Sequence, residues 1–165
     1  MSGQNIFILT FKPQGGIDDF LISVMNGDNN LLNVNDLKRK GLSQHIPSNQ
    51  KSAVPVWGYN SKPQRNYPLW LKVNKGDIVL FQNLSNDTIF GFATVHSKIH
   101  DAELAKIPWP KSHSDLLIFF ENVRSCNISK CDLIDKCFHR DTIDRWDIMI
   151  PTTSEAVKQL YELIN

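Results

Sequence analysis

KGDIVLF at residues 75–81, followed after a short polar stretch by TIFGFATV at residues 88–95, decides the fold. Both runs are apolar and rich in β-branched or aromatic side chains, which is typical of strands. The polar connection at residues 82–87 is short enough to predict a hairpin between them. Gly91 interrupts the second run, which predicts a β-bulge or the close approach of another group to the backbone.

Further apolar runs extend this hairpin into a sheet. They predict strands at Asn5–Phe11, near 54–57, near 116–123 and near 145–150. Short helices are predicted near residues 17–24 and 157–164, where apolar residues recur at helical spacing. We therefore predict the α+β class, with a curved, mostly antiparallel sheet or small barrel flanked by helices. We expect residues 1–52 to form an N-terminal extension, and residues 53–165 to form the main domain.

The composition excludes several protein classes. The chain has 165 residues, of which 41% are hydrophobic and 21% are charged, as in ordinary globular proteins. No apolar run approaches the ~18 residues of a membrane span, and the N-terminus lacks the features of a secretory signal. Three cysteines cannot all pair within one chain, which fits a reducing cytoplasm. We expect a cytoplasmic protein without membrane contact.

The net charge of +1 hides an uneven distribution. Residues 51–111 carry eight Lys or Arg against four Asp or Glu, whereas residues 112–165 carry six against nine. A locally basic segment favours an anionic partner, although an uneven solvated surface explains it equally well.

Catalytic and metal-binding signatures are missing from the sequence. There is no GxxxxGK[ST] loop, no GxSxG elbow and no HExxH motif. Cys126, Cys131, Cys137 and His139 lack the closely spaced thiolate pair that zinc sites favour. We therefore predict no catalytic residue, no metal site and no cofactor.

Two tryptophans stand where strands and loops meet. Trp57 ends a predicted strand and enters a polar loop, and Trp109 lies between Pro108 and Pro110. Tryptophans in such places either stack on a ligand or close the end of a core. The residues alone leave both interpretations open.

The order of these features resembles a known family. PVWG at 55–58 is followed by WLxVxKGDIVLF at 70–81, IFGFATV at 89–95, DAELA at 101–105, Trp109 and LIFF at 117–120. This order resembles the EVE/YTH-like modified-base readers of the PUA-like superfamily. It is most similar to the readers at the N-terminus of some McrB-type modification-dependent restriction proteins. The resemblance covers about residues 53–150 and leaves out residues 1–50.

The resemblance implies an aromatic cage for one nucleobase. Trp57 and Trp109 would be its walls, and the backbone of Gly58 would face the edge of the base. A base held between two rings requires parallel ring planes about 7 Å apart, twice the usual carbon contact distance. The remaining base-binding candidates are Ser48, Asn49, Tyr59 and Phe90. The candidates for phosphate binding are Lys62, Arg65, Lys72, Lys98, Lys106 and Lys111.

The function implied is the reading of double-stranded DNA that contains a modified, for example methylated, base. Such a reader flips the base out of the duplex, which costs free energy because the base is unstacked and unpaired. Stacking on the aromatic rings recovers part of this cost. The family context implies a restriction or phage-defence system in which a nuclease or NTPase subunit or domain supplies the chemistry. Three alternatives remain: a reader of modified RNA of the N6-methyladenine type, a PUA-like enzyme or small-molecule binder of the ASCH type, and an interaction domain with buried tryptophans.

Overall fold

The computed structural model describes residues 4–11, 16–138, 149–151 and 154–165. Six strands form one sheet: β1 (Asn5–Phe11), β2 (Val56–Tyr59), β3 (Ile78–Asn83), β4 (Thr88–His100), β5 (Leu116–Ser129) and β6 (Met149–Pro151). Six α-helices accompany it: α1 (Gly16–Val24), α2 (Val34–Arg39), α3 (Asn66–Lys72), α4 (Ala102–Ala105), α5 (Lys130–Leu133) and α6 (Ser154–Ile164). The predicted α+β class with a mostly antiparallel sheet is confirmed.

The strand order is β2-β5-β4-β3-β1-β6. The predicted hairpin is present, because β3 pairs antiparallel with β4 from Ile78↔Thr94 to Asn83↔Thr88. The register shifts at Gly91, where a Cβ atom would lie 2.9 Å from the Phe81 ring, so both predictions for this glycine are confirmed. Of the predicted last strand, residues 145–148 lie outside the described residues.

The sheet crosses the boundary that we expected after residue 52. β1 lies between β3 and β6 and pairs with β3 in parallel, from Ile6↔Ile78 to Phe11↔Asn83. The division of the chain after residue 52 stays a prediction, but β1 is an inner strand of the sheet. The reason is packing: β1 carries apolar side chains on both of its faces, and only an inner strand can bury both.

Side chains alternate between the two faces of the sheet, and both faces are covered. The front face carries Phe7, Leu9, Val79, Phe81 and Ile118, and α1 and α3 pack on it through Phe20, Val24, Trp70 and Val73. The back face has two clusters. One packs under α5 and α6 through Leu133 and Leu160. The other packs under α2 and α4 through Leu37 and Leu104.

Within the described residues, no helix combines the length and the apolar character needed to span a membrane. The same part of the chain holds no cluster of three or more potential metal ligands. Cys126 and Cys137 instead pack in the back-face cluster below α6, and burial raises the pKa of both thiols to about 11. His139 lies outside the described residues.

Candidate functional site

Trp57 and Trp109 meet at the edge of the sheet that β2 forms. They line a cleft of about 650 Å³. The other residues of the cleft are Asp19, Gly58, Pro108, Pro110, Lys111, Ser112 and Ser114. Both tryptophans are half-buried. The structure thus brings together three of the predicted base-binding residues, Trp57, Gly58 and Trp109, whose role stays a prediction.

The two indole rings are perpendicular, not parallel. Their centroids are 5.7 Å apart and their planes are inclined by 77°. The expected sandwich with parallel rings is therefore wrong for this structure. Trp57 is held by edge contacts with Phe11 and Phe20, at angles of 79° and 68°. Aromatic pairs favour edge-to-face contact over a face-to-face sandwich, so the two tryptophans form a right-angled corner.

Gly58 allows Trp109 to approach β2. Alternation along the strand places Gly58 on the back face with Val56, and Trp57 on the front face with Tyr59. A Cβ atom on Gly58 would lie 2.9 Å from Cζ3 of Trp109 and 3.0 Å from Cβ of Ser114. Trp109 packs against the back-face cluster below α4 and reaches Trp57 at the sheet edge. No larger residue would permit this approach without a shift.

Helix α4 fixes the loop that carries Trp109. The Asp101 side chain caps the helix by accepting from the Leu104 amide at 2.9 Å. The Trp109 amide then donates to the Ala105 carbonyl at 3.1 Å, which ties the loop to the last turn. Pro108 and Pro110 fix the backbone on either side. The backbone at Trp109 is therefore restrained by the hydrogen bond to Ala105 and by the two flanking prolines.

The Trp109 side chain is held by packing and not by a hydrogen bond within the described residues. Within the described residues, its buried indole N–H has no hydrogen-bond partner. Trp70 differs, because its indole N–H donates to the Leu117 carbonyl at 3.1 Å. The Trp109 ring can consequently turn without breaking a hydrogen bond, whereas the Trp70 ring cannot.

Tyr59 and Phe90, the expected third wall, lie elsewhere. Phe90 belongs to the front-face core, where it contacts Phe11, Phe20 and Phe81. Tyr59 lines a separate cavity. In their place the cleft has Asp19, the two prolines and two serines. Asp19 could not be predicted, because nothing in the sequence indicates that α1 lies beside β2. Ser48 and Asn49 are exposed in a loop and do not line the cleft.

The six predicted phosphate-binding residues are dispersed. Lys111 lines the cleft. Lys106 forms an ion pair with Glu103 at 2.7 Å on the exposed side of α4. Lys62, Arg65 and Lys72 are exposed but do not line the cleft. The basic middle of the sequence therefore does not fold into one basic patch at the cleft.

Lys98 is hydrogen-bonded to the end of α3. Its ammonium donates to the carbonyls of Trp70 and Leu71, both at 2.8 Å, at the C-terminal end of α3. It also lies 4.7 Å from the centre of the Trp70 ring. Burial lowers the pKa of Lys98, and the charge of Asp77 partly offsets that effect. Two of the three N–H donors of the ammonium are therefore taken up by α3, and the phosphate-binding role of Lys98 stays a prediction.

Asp115 connects the cleft loop to the loop after β2. Its carboxylate accepts from the Ser61 amide at 2.7 Å and from the Ser61 hydroxyl at 2.5 Å, and it pairs with His100 at 3.0 Å. Burial raises the pKa of Asp115, but the hydrogen bonds from Ser61 and the contact with His100 bring it below its ordinary value. These contacts connect the two loops. They do not form a catalytic triad, because here the carboxylate lies between the hydroxyl and the imidazole, whereas in a triad the imidazole lies between the hydroxyl and the carboxylate.

Comparison with known proteins identifies the fold. No protein-family model and no curated protein matches the sequence. Two solved structures are similar over 99% of this chain. The crystal structure of the Mmi1 YTH domain has 13% identity, a TM-score of 0.51 and 90% of its own chain covered. The complex of the YTH domain-containing protein mmi1 with RNA has 12% identity, a TM-score of 0.50 and 82% covered. At this identity the likeness concerns the fold alone, which is YTH-like.

Proposed function

We propose that this chain is a reader of modified RNA, and that the Trp57–Trp109 cleft binds one modified base. The observation that carries the proposal is the meeting of these two tryptophans, distant in sequence, in one half-open cleft at the sheet edge. Half-buried indoles lining a cleft are candidates for ligand contact and not only for core packing. The YTH-like fold supports this interpretation, since one similar structure is a complex with RNA.

The right-angled corner suits a base that carries a methyl group. The base stacks on the face of one indole, which contributes ~1–3 kcal/mol. The second indole stands across the edge of the base, where a methyl group on that edge contacts apolar carbon and adds ~0.8 kcal/mol. Rotation of the Trp109 ring, which breaks no hydrogen bond within the described residues, adjusts the width of the cleft.

Charge at the cleft favours a single strand over a duplex. Lys111 and Asp19 both line the cleft, so their charges offset one another. Duplex DNA has a higher density of phosphates, and proteins that bind it rely on several lysine or arginine contacts. A base in duplex DNA must also be unpaired, which costs a few kcal/mol, whereas an unpaired RNA base is already accessible. These costs favour RNA as the ligand.

We propose further that the chain acts by binding alone. The described residues around the cleft supply stacking surfaces, two hydroxyls, one ammonium and the Asp19 carboxylate. The two hydroxyls, of Ser112 and Ser114, are hydrogen-bonded to each other at 2.8 Å, which is not the pairing with a base that activates a nucleophile. The reading of duplex DNA within a restriction or defence system, with a nuclease or NTPase partner, has no support from the charge at the cleft. Duplex DNA is therefore included as a separate ligand in the experiment below.

The test is a binding panel of short oligonucleotides. Each is single-stranded RNA, single-stranded DNA or duplex DNA, and each carries one N6-methyladenine, one 5-methylcytosine or no modification. We expect one modified RNA to bind more tightly than its unmodified counterpart. Trp109→Ala should weaken that binding about 5- to 150-fold, the equivalent of the ~1–3 kcal/mol of stacking. Leu71→Ala, which removes an exposed apolar side chain on α3, is the matched control and should bind like the wild type.

Trp57→Ala should cause a similar loss, but this residue also packs on Phe11 and Phe20. Its thermal unfolding is therefore measured in parallel, and binding is compared below the transition. Equal affinity for all modified and unmodified strands, or full affinity in Trp109→Ala, would reject the proposed function. Preference for modified duplex DNA would reject RNA as the ligand but would leave the cleft as the site that reads the base.

A further inference from the structure

A second cavity of about 410 Å³ lies on the front face of the sheet beside α3. It shares no lining residue with the Trp57–Trp109 cleft. Trp57 and Tyr59 lie on the same face of β2, yet each lines a different cavity. The two cavities are therefore separate, and the function proposed for the cleft does not extend to the second cavity.

The walls of the second cavity are mostly apolar, and Thr10, Tyr59 and Asn66 add polar groups. Its floor comes from the sheet and its side from α3. The apolar residues of these two parts are Phe7, Leu9, Val79, Ile118, Leu69 and Val73. The cavity is open to solvent on one side, so a ligand can reach these apolar residues. Its volume falls in the range of about 300–1,000 Å³ that is common for small-molecule sites.

One wall is rigid and aromatic. Trp70 donates its indole N–H to the Leu117 carbonyl at 3.1 Å, and the Lys98 ammonium lies over its ring at 4.7 Å. A wall that is already fixed does not lose freedom when a ligand binds, which favours affinity.

The rim carries a single cationic side chain. Arg65 immediately precedes α3, is exposed and lines the cavity. Among the described residues it forms no ion pair. The side-chain amide of the neighbouring Asn66 donates one of its N–H groups to the Asn60 carbonyl at 2.9 Å, and the Arg65 guanidinium supplies the positive charge at the mouth. A guanidinium binds a carboxylate through two parallel hydrogen bonds.

We propose that this cavity binds an apolar carboxylate, with the acyl or aryl body against the sheet and α3 and the carboxylate on Arg65. The apolar floor disfavours a nucleobase, because the polar edge of a base would lack partners there. It equally disfavours a polar metabolite. A ligand with one acidic end and an apolar body satisfies both the rim and the walls.

The experiment measures binding of decanoate, 2-naphthoate, 1-decanol and decylamine to the full chain by calorimetry. We expect the two carboxylates to bind about tenfold or more tightly than 1-decanol, since hydrogen bonds to charged groups are the strong ones. Decylamine should bind weakest. Arg65→Gln should reduce decanoate to the affinity of 1-decanol and leave 1-decanol unchanged. Lys72→Gln removes the same charge from the exposed side of α3 and is the control, with binding as in the wild type.

Leu69→Trp, which fills the cavity from α3, should abolish binding of decanoate and 1-decanol together. If this variant folds poorly, Arg65→Gln still tests the proposal, because Arg65 is exposed and its substitution should not disturb the fold. The proposal is overturned if decanoate does not bind at millimolar concentration, or if Arg65→Gln keeps the preference for carboxylates. Binding of adenosine monophosphate in place of the carboxylates, dependent on Arg65, would also overturn it.

Discussion

Gly58 determines how closely the Trp109 ring approaches β2. Cζ3 of Trp109 and Cδ2 of Leu117 lie 2.9 and 3.0 Å from the position that a Cβ atom would occupy on Gly58. The corner of the cleft therefore depends on the absence of a side chain at this position as much as on the two indoles.

At the residue scale we predict that Gly58→Ala destabilises the fold by ~1–3 kcal/mol through overpacking. It should also weaken ligand binding, because the Trp109 ring must move. In a Trp109→Ala background, Gly58→Ala should lower the free energy of unfolding by at least ~0.5 kcal/mol less than it does in the wild type. The reason is that the closest atom, Cζ3 of Trp109, is absent from this background. Urea unfolding of the wild type, both single variants and the double variant gives this coupling. Strictly additive effects would mean that the contact does not constrain Trp109.

The sequence was informative about which residues form the cleft and uninformative about their angle. Trp57 and Trp109 could be predicted because each lies where an apolar run meets a loop. Their ring angle could not, because it depends on Phe11 and Phe20, which approach Trp57 from β1 and α1. Nor could the position of Tyr59 be predicted, since alternation along β2 gives its face but not the cavity it lines.

At the element scale, the short 3₁₀ helix Ser43–His45 is held on the back face of the sheet by its histidine. Nδ1 of His45 lies 2.8 Å from the Ser97 hydroxyl, and its ring stacks on Phe119 at 5.0 Å. The pKa of His45 is lowered, first by burial and second by the charge of His96. The folded chain therefore holds this proton less tightly than the unfolded chain does.

This difference predicts how stability changes with pH. Below a pH of about 6.5, the unfolded chain gains the His45 proton before the folded chain does, so the stability linked to His45 is lost as the pH falls. We expect His45→Gln to lose less stability than the wild type between about pH 7.5 and about pH 5.5. Urea unfolding at both values tests this, and titrating groups that do not interact with His45 cancel in the comparison. Identical losses would show that His45 is not protonation-linked.

The strands themselves were predicted unequally well. β3 closely matches its apolar run, but β4 and β5 extend to His100 and Ser129, beyond their predicted ends near 96 and 123. The added residues are mostly polar and less buried, and they pair through backbone groups that any side chain permits. The parallel pairing of β1 with β3 was not foreseen, because hydrophobic periodicity indicates a strand but not its partner.

At the scale of the whole molecule, several side chains of the described residues before 53 belong to the core. Phe7 and Phe20 pack in the front-face cluster, Ile8 packs below α6, and Leu37 packs below α4. Removal of this segment would expose an edge of β3 and all three clusters.

We predict that a fragment of residues 53–165 does not fold cooperatively. Deletion of an inner strand leaves unpaired backbone and exposed apolar surface, which favours aggregation. A chain that begins at Gln4 is the control and should unfold like the full chain. Thermal unfolding followed by circular dichroism distinguishes the two. A cooperative transition in the 53–165 fragment would restore the boundary after residue 52.

The central claim is that the Trp57–Trp109 corner receives the modified base. Its most direct test is a titration of the ¹⁵N-labelled chain with single-stranded RNA that carries one N6-methyladenine, followed through the indole N–H resonances. Single Trp→Phe variants assign these resonances. The account predicts that the Trp57 and Trp109 resonances shift, while the Trp70 resonance, held by the Leu117 carbonyl and facing the other cavity, stays in place. RNA binding that moves Trp70 and leaves Trp57 and Trp109 unchanged would contradict the account.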